Sequence, residues 1–213
     1  MALLEEIRDT LVVGNAPKIK ELTQKALSEG ISALDILNDG LVKGMQIVSD
    51  KWKAGEYYIP NVLIAARAMK GGMEIIKPKL IEGNYKAKGV AVAGTVKGDL
   101  HDIGKNLVVM MMEGAGFEVV DLGTDVPAEK FVQAAREKNA DIIMMSALLT
   151  TTMLAMKDVV KALRESDLKG KVKTMVGGAP VTQKFAEEIG ADGYAADGSS
   201  AVEKAKGLLG IAA

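Results

Sequence analysis

The sequence predicts two folding units, a four-helix bundle followed by an α/β unit built on a five-stranded parallel sheet. Three observations predict it. Up to about Glu82, apolar residues recur at helical spacing and no run reads as a strand. From Ala87 onward, short β-rich runs alternate with helical stretches, the pattern of strands joined by crossover helices in a doubly wound sheet. The chain has 213 residues, enough for one large domain or two small ones.

The first helix carries Leu3, Leu4, Ile7 and Leu11, and Gly14-Asn15-Ala16-Pro17 punctuates it. A second begins near Pro17, carries Ile19, Leu22, Ala26 and Leu27, and ends at Gly30, with proline just inside the start and glycine just past the end. The third runs from about Ser32 to Lys53 with Leu34, Leu37, Leu41, Met45 and Val48 on one face. Ser32 and Asp35 resemble a capping pair, and Gly40 and Gly44 are points where the helix could break. The fourth runs from about Asn61 to Ile76 and is stopped by Pro78. Short connections between four helices make residues 1–82 a small bundle. Residues 83–88 read as a linker, and a hinge is expected between Lys79 and Lys88. In the remaining unit, 89–213, strands are expected at 89–96, 117–121, 140–146, 172–177 and 193–196. Helices are expected at about 102–115, 127–138, 152–166, 181–189 and 199–210. That alternation describes an open Rossmann-like (flavodoxin-like) sheet.

The bulk composition removes several function classes. The 27 basic and 28 acidic residues leave a net charge of −1, so no electrostatic argument favours nucleic acid or an anionic membrane as partner. With no cysteine, disulfides, thiolate metal sites and a cysteine nucleophile are excluded. The acidic start, Met1-Ala2-Leu3-Leu4-Glu5-Glu6, does not resemble a signal peptide, and no apolar run approaches a membrane span; a cytoplasmic protein is the simplest expectation. Only 4% of residues are aromatic, so the core must be built from aliphatic side chains and twelve methionines, among them Met110-Met111-Met112 and Met144-Met145.

The chemistry concentrates in Gly98-Asp99-Leu100-His101-Asp102-Ile103-Gly104-Lys105-Asn106, between an apolar strand and a helix. Open α/β sheets place their ligands at such strand ends. His101 is the only histidine, and Asp99, two residues earlier, can hold one ring nitrogen and leave the other free, as a metal-ligating imidazole requires. Alone, the pair also reads as an ordinary loop hydrogen bond. Two other loops should open on the same edge. Ser146-Ala147-Leu148-Leu149-Thr150-Thr151-Thr152 offers hydroxyls for a ligand's polar edge or for a helix cap. Gly177-Gly178 allows close approach of a ligand to the backbone, or simply a turn. There is no GxGxxG after the first strand and no Walker lysine motif.

Together, Asp99-x-His101-x-x-Gly104, Ser146-x-Leu148 and Gly177-Gly178 resemble the cobalamin-binding domain that holds its cofactor base-off through a protein histidine. Upstream, Trp52-Lys53-Ala54-Gly55-Glu56-Tyr57-Tyr58-Ile59-Pro60 and Ala65-Ala66-Arg67-Ala68-Met69 resemble the helical cap preceding that domain in methionine synthase and in small corrinoid proteins of methyltransferase systems. The resemblance covers nearly the whole chain. It implies that His101 is the lower ligand of cobalt, that Asp99 holds its other nitrogen, and that Thr152 continues the relay. It implies a displaced nucleotide tail in a cleft lined by Gly104, Ser146, Leu148, Thr150, Gly177, Gly178, Asp197 and Gly198, with Gly98, Asp102 and Ile103 as further cobalamin-binding residues. Tyr58 matches an aromatic that shields the upper axial group; Val62, Ala65 and Met69 share its flank but read equally as bundle core.

The function implied is a corrinoid carrier, with methylcobalamin in its working cycle. It would shuttle a methyl group on cobalt from a substrate-specific methyltransferase to a second methyltransferase acting on an acceptor, with a reductive activase as a further partner. About 210 residues leave no room for donor and acceptor domains, so a non-catalytic subunit is expected, with domain opening to expose the upper axial position. The alternatives are an adenosylcobalamin-dependent sensor, for which no basic DNA-binding segment is seen, and the small subunit of a cobalamin-dependent mutase, which a built-in helical cap would obstruct.

Overall fold

The computed structural model describes residues 2–83 and 87–211. It divides into two compact units, Met1–Lys86 and Ala87–Ala213.

The first unit is helical. It comprises α1 (Ala2–Val12), α2 (Ala16–Ser28), α3 (Ala33–Asp35), a π-helical stretch (Ile36–Val42), α4 (Lys43–Lys53) and α5 (Ile59–Glu82). Asn15 caps α2 by accepting from the Lys18 N–H, and Ser32 caps α3 by accepting from that of Asp35. Ile7, Leu11, Ile19, Leu22, Leu37, Leu41, Val48 and Ile76 form the buried interior. From α3 through α4 the backbone stays helical, so Gly40 and Gly44 do not break it. They let helices approach closely instead: a Cβ at Gly40 would stand 2.9 Å from Ile7, and one at Gly44 would stand 3.0 Å from Leu11. Pro78 does not end the last helix, contrary to the sequence reading; α5 continues to Glu82. Proline costs one N–H bond and crowds one carbonyl. Here Ile76 and Leu80, buried on either side, keep the final turns packed. The start of the expected hinge region is therefore helical, and Asn84 to Lys86 of the expected linker lie outside the described residues.

The second unit is the α/β sheet. Its elements are β1 (Val90–Thr95), α6 (Ile103–Gly114), β2 (Glu118–Asp121), α7 (Ala128–Glu137), β3 (Ile142–Ser146), α8 (Ala155–Arg164), β4 (Lys173–Gly177), α9 (Gln183–Ile189), β5 (Gly193–Ala195) and α10 (Gly198–Leu208). All pairings are parallel, in the order β2-β1-β3-β4-β5. Val92, Ile143, Met145 and Val176 pack on one face with Phe131 of α7, Met156 and Leu163 of α8 and Ile189 of α9. By strand alternation, Ala91, Ala93, Met144 and Met175 face the other layer, where α6 and α10 pack together. Met111, Met112, Met144 and Met145 are buried, as core filler should be. The strand order reverses direction between β1 and β3. That switch point, at the carboxyl ends of the strands, is where open α/β sheets place their ligands. Among the described residues no helix is long and apolar enough to cross a membrane.

Candidate cofactor site

His101 stands at this switch point, in the segment between β1 and α6. Its loop leaves β1 at Val96, and Gly98 takes φ +83, a conformation that side chains disfavour. The Thr95 hydroxyl, fully buried at the end of β1, donates to the His101 carbonyl at 2.8 Å. Asp99 is completely buried, and its two oxygens face different partners. Oδ1 accepts from the His101 backbone N–H at 3.0 Å and faces His101 Nδ1 at 2.7 Å. Oδ2 accepts from the Leu148 N–H at 2.8 Å and from the Thr152 hydroxyl at 2.5 Å. The relay Thr152–Asp99–His101 is thus assembled from the loops that follow β3 and β1. Thr152 is held there because 148–154 forms turns, which also delays the start of α8 to Ala155.

Burial pushes the Asp99 carboxyl up, but hydrogen bonds from Thr152, Leu148 and His101 more than offset this and hold it well below the usual carboxylate range. Asp99 is therefore an anion at neutral pH and can only accept. The proton between the pair sits on His101 Nδ1, which leaves Nε2 as the ring nitrogen outside the pair. The imidazole is half exposed, its side chain at 51%.

The loops that carry the ring and its support expose apolar side chains. Among the described residues, the exposed large apolar side chains of the α/β unit are Leu100, Ile103, Leu148, Leu149 and Leu154, all in or beside these two loops; Leu100 and Ile103 are 73% and 74% exposed. Among the described residues there is also no cluster of three metal-ligating side chains. A lone imidazole cannot hold a bare cation, but it suits a metal that brings its own equatorial ligands within a flat apolar ring. The residues present fit a corrinoid.

Residues 89–205 match the B12 binding domain family, and residues 3–77 match a second B12 binding domain family. The chain belongs to the B12-binding family. Its cofactor is a cobalamin. The chain is 45% identical over 213 residues to a corrinoid protein of Desulfitobacterium hafniense (strain Y51), covering 99% of each. It is 45% identical over 207 residues to dimethylamine corrinoid protein 3 of Methanosarcina acetivorans, covering 97% of each. Among solved structures, the methanol:cobalamin methyltransferase complex of Methanosarcina barkeri superposes with a TM-score of 0.88 at 33% identity, covering 98% of this chain and 80% of that one.

The other expected cobalamin contacts are distributed as follows. Asp102 precedes α6, its carboxylate accepting from Asn106. Gly104 is exposed, and a Cβ there would meet nothing within 4 Å. Ser146 ends β3 opposite Gly177, and Thr150 is exposed. Gly178 takes φ +125, and a Cβ there would lie 1.9 Å from the Ala147 carbonyl oxygen; its bareness lets the β3 and β4 loops touch. Asp197 is already engaged as the cap of α10, accepting from the Ser200 N–H. A Cβ on Gly198 would lie 2.5 Å from the Met111 sulfur. Tyr58 belongs to the bundle unit, where it is exposed.

Sequence reasoning missed Thr95, Lys105, Asp121 and Asp125. Lys105 is buried in the first turn of α6, where a cation opposes the helix dipole. Its ammonium pairs with Asp121 at the end of β2. The signal for Lys105 was its place one residue after Gly104, on a stretch already singled out. For Asp125 there was none.

Proposed function

We propose that the chain is a methyl carrier, a corrinoid protein serving two methyltransferases, with the cobalamin bound base-off and His101 as its lower ligand. The observation that carries this reading is a half-exposed imidazole whose Nδ1 is held by a buried carboxylate, on a loop that also exposes Leu100 and Ile103. The names of the relatives support the methyltransferase setting, since one is a dimethylamine corrinoid protein and another solved structure is a methanol:cobalamin methyltransferase complex.

Bound cobalamin would supply a cobalt able to accept and give up a methyl group. The chain's own task lies below. Asp99 keeps the Nδ1 proton in place, so Nε2 alone is available as donor. Hydrogen bonds from Thr152, Leu148 and the His101 backbone keep Asp99 an anion, and so an acceptor toward Nδ1. Leu100, Ile103 and Leu148 are exposed and offer apolar surface for the corrin to cover. Gly104, Ser146, Thr150, Gly177, Gly178, Asp197 and Gly198 are assigned to the nucleotide tail, and Tyr58 to the upper axial side. Residues 1–82 are assigned the role of a cap and residues 89–213 that of the carrier unit. A reductive activase completes the set of partners, in the cytoplasm. The donor compound is read by the first methyltransferase rather than by this chain; methylated amines are the class favoured by the relatives.

The test is reconstitution with hydroxocobalamin, reduction to cobalt(II), and electron paramagnetic resonance. Histidine carrying an isotope-labelled ring should change the nitrogen splitting, since His101 is the only one. The splitting should vanish in His101→Ala. An unchanged spectrum in that variant would refute the ligand assignment.

A further inference from the structure

We propose that Asp125 is a positioning residue for the axial ligand, clasping the loop that carries His101 and fixing where the imidazole stands. The proposal rests on reading His101 as that ligand.

Among the described residues only two non-glycine positions take positive φ, Asp125 at +53 and Asn139 at +49. Asn139 follows the end of α7, where a left-handed residue is the usual way to stop a helix. Asp125 has no helix to end. It sits in the segment joining β2 to α7, and its conformation is one that persists only where surrounding contacts hold it. Those contacts all go to the histidine loop. The Asp125 N–H donates to the Asp99 carbonyl at 3.0 Å, and its Oδ1 accepts from the Gly98 N–H at 2.7 Å. On either side, the Thr95 N–H donates to the Gly123 carbonyl and the Val126 N–H donates to that of Thr95. Lys105 and Asp121 tie the far end of the loop to the same segment.

Two carboxylates thus divide one task. Asp99 reaches the ring and sets its orientation. Asp125 reaches only backbone and sets the position of the residues from which the ring hangs. Gly98 and Asp125 are both exposed. A lost Oδ1 contact is therefore replaced by water, and the fold tolerates it; the effect falls on the order of the loop.

Two full-length variants isolate the contact. Asp125→Gly suits the left-handed backbone and deletes the carboxylate. Asp125→Asn keeps an acceptor oxygen and tolerates the same φ. With labelled histidine the chain shows one imidazole, so its relaxation in the cofactor-free protein reports this loop alone. Asp125→Gly should broaden that signal. It should also weaken hydroxocobalamin binding by about tenfold, the low end of the loss when a partner of a metal ligand is removed. The fraction of cobalt(II) protein showing imidazole nitrogen splitting should fall, and Asp125→Asn should restore all three. A wild-type ring signal and affinity in Asp125→Gly overturns the clasp, and so does an asparagine variant that behaves like the glycine one. If the wild-type protein itself lacks nitrogen splitting, the ligand reading fails, while ring relaxation in the cofactor-free protein still decides the clasp.

Discussion

Replacing Thr152 by valine tests the relay at its outer link. The exchange keeps the volume and deletes one hydroxyl, which donates to the fully buried Asp99 at 2.5 Å. A hydrogen bond to a charged group contributes about 1.5–3 kcal/mol. The Oδ2 atom retains the Leu148 N–H at 2.8 Å, so the carboxylate is not orphaned. The expected loss is about 2 kcal/mol, or roughly 4–8 °C in Tm for a chain of this size. Urea and thermal unfolding of the cofactor-free protein at pH 7 measure it, with Thr152→Ser as the control that regains stability. The pH dependence has a definite sign. The hydroxyl favours the ionised carboxyl, so its removal raises the Asp99 pKa in the folded state. The deficit is complete at neutral pH and shrinks as acid protonates Asp99 in the variant but not yet in the parent. A valine variant within about 0.5 kcal/mol of the parent at pH 7, the scatter of ordinary surface changes, would refute the relay geometry.

Four further outcomes follow from the same geometry. Asp99→Asn should flatten the acid limb of stability. The folded carboxyl binds its proton more weakly than the unfolded chain does, so the parent loses this contribution as pH falls below about 4; acid titration of unfolding in both proteins checks it. Gly178→Ala should cost at least about 3 kcal/mol by urea unfolding, since its Cβ would lie 1.9 Å from the Ala147 carbonyl and its φ is +125. Gly104→Ala should leave stability within about 0.5 kcal/mol or raise it, yet weaken hydroxocobalamin binding if this open position faces the nucleotide tail; equal affinity would remove Gly104 from the lining. Covalently joining the bundle to the α/β unit should leave cobalamin bound but stop methyl transfer to a partner, and undiminished transfer would make opening unnecessary.

The α/β unit was legible because its signals are local and periodic. Each strand is a short apolar run bounded by turn residues, and α7 and α8 carry their apolar residues on one face. The relay was legible in part, since Asp99 and His101 are two residues apart and Thr152 lies in a conspicuous hydroxyl run. Features that depend on packing were not. Pro78 reads as a stop, and only the burial of Ile76 and Leu80 shows why the helix runs on. Gly40 and Gly44 look like breaks until Ile7 and Leu11 are seen against them. Asp125 stands 27 residues from Gly98 in the chain, and its role arises only when the segment after β2 is laid beside the loop after β1.

The parallel pairing of β1 with β3 bears on when, during synthesis, the site can assemble. Asp99 and Thr152 are 53 residues apart, and β2 and α7 must be threaded between them. At typical ribosome speeds the histidine precedes its last support by roughly 3–10 s. The relay that positions the imidazole is therefore completed only after β3 has docked.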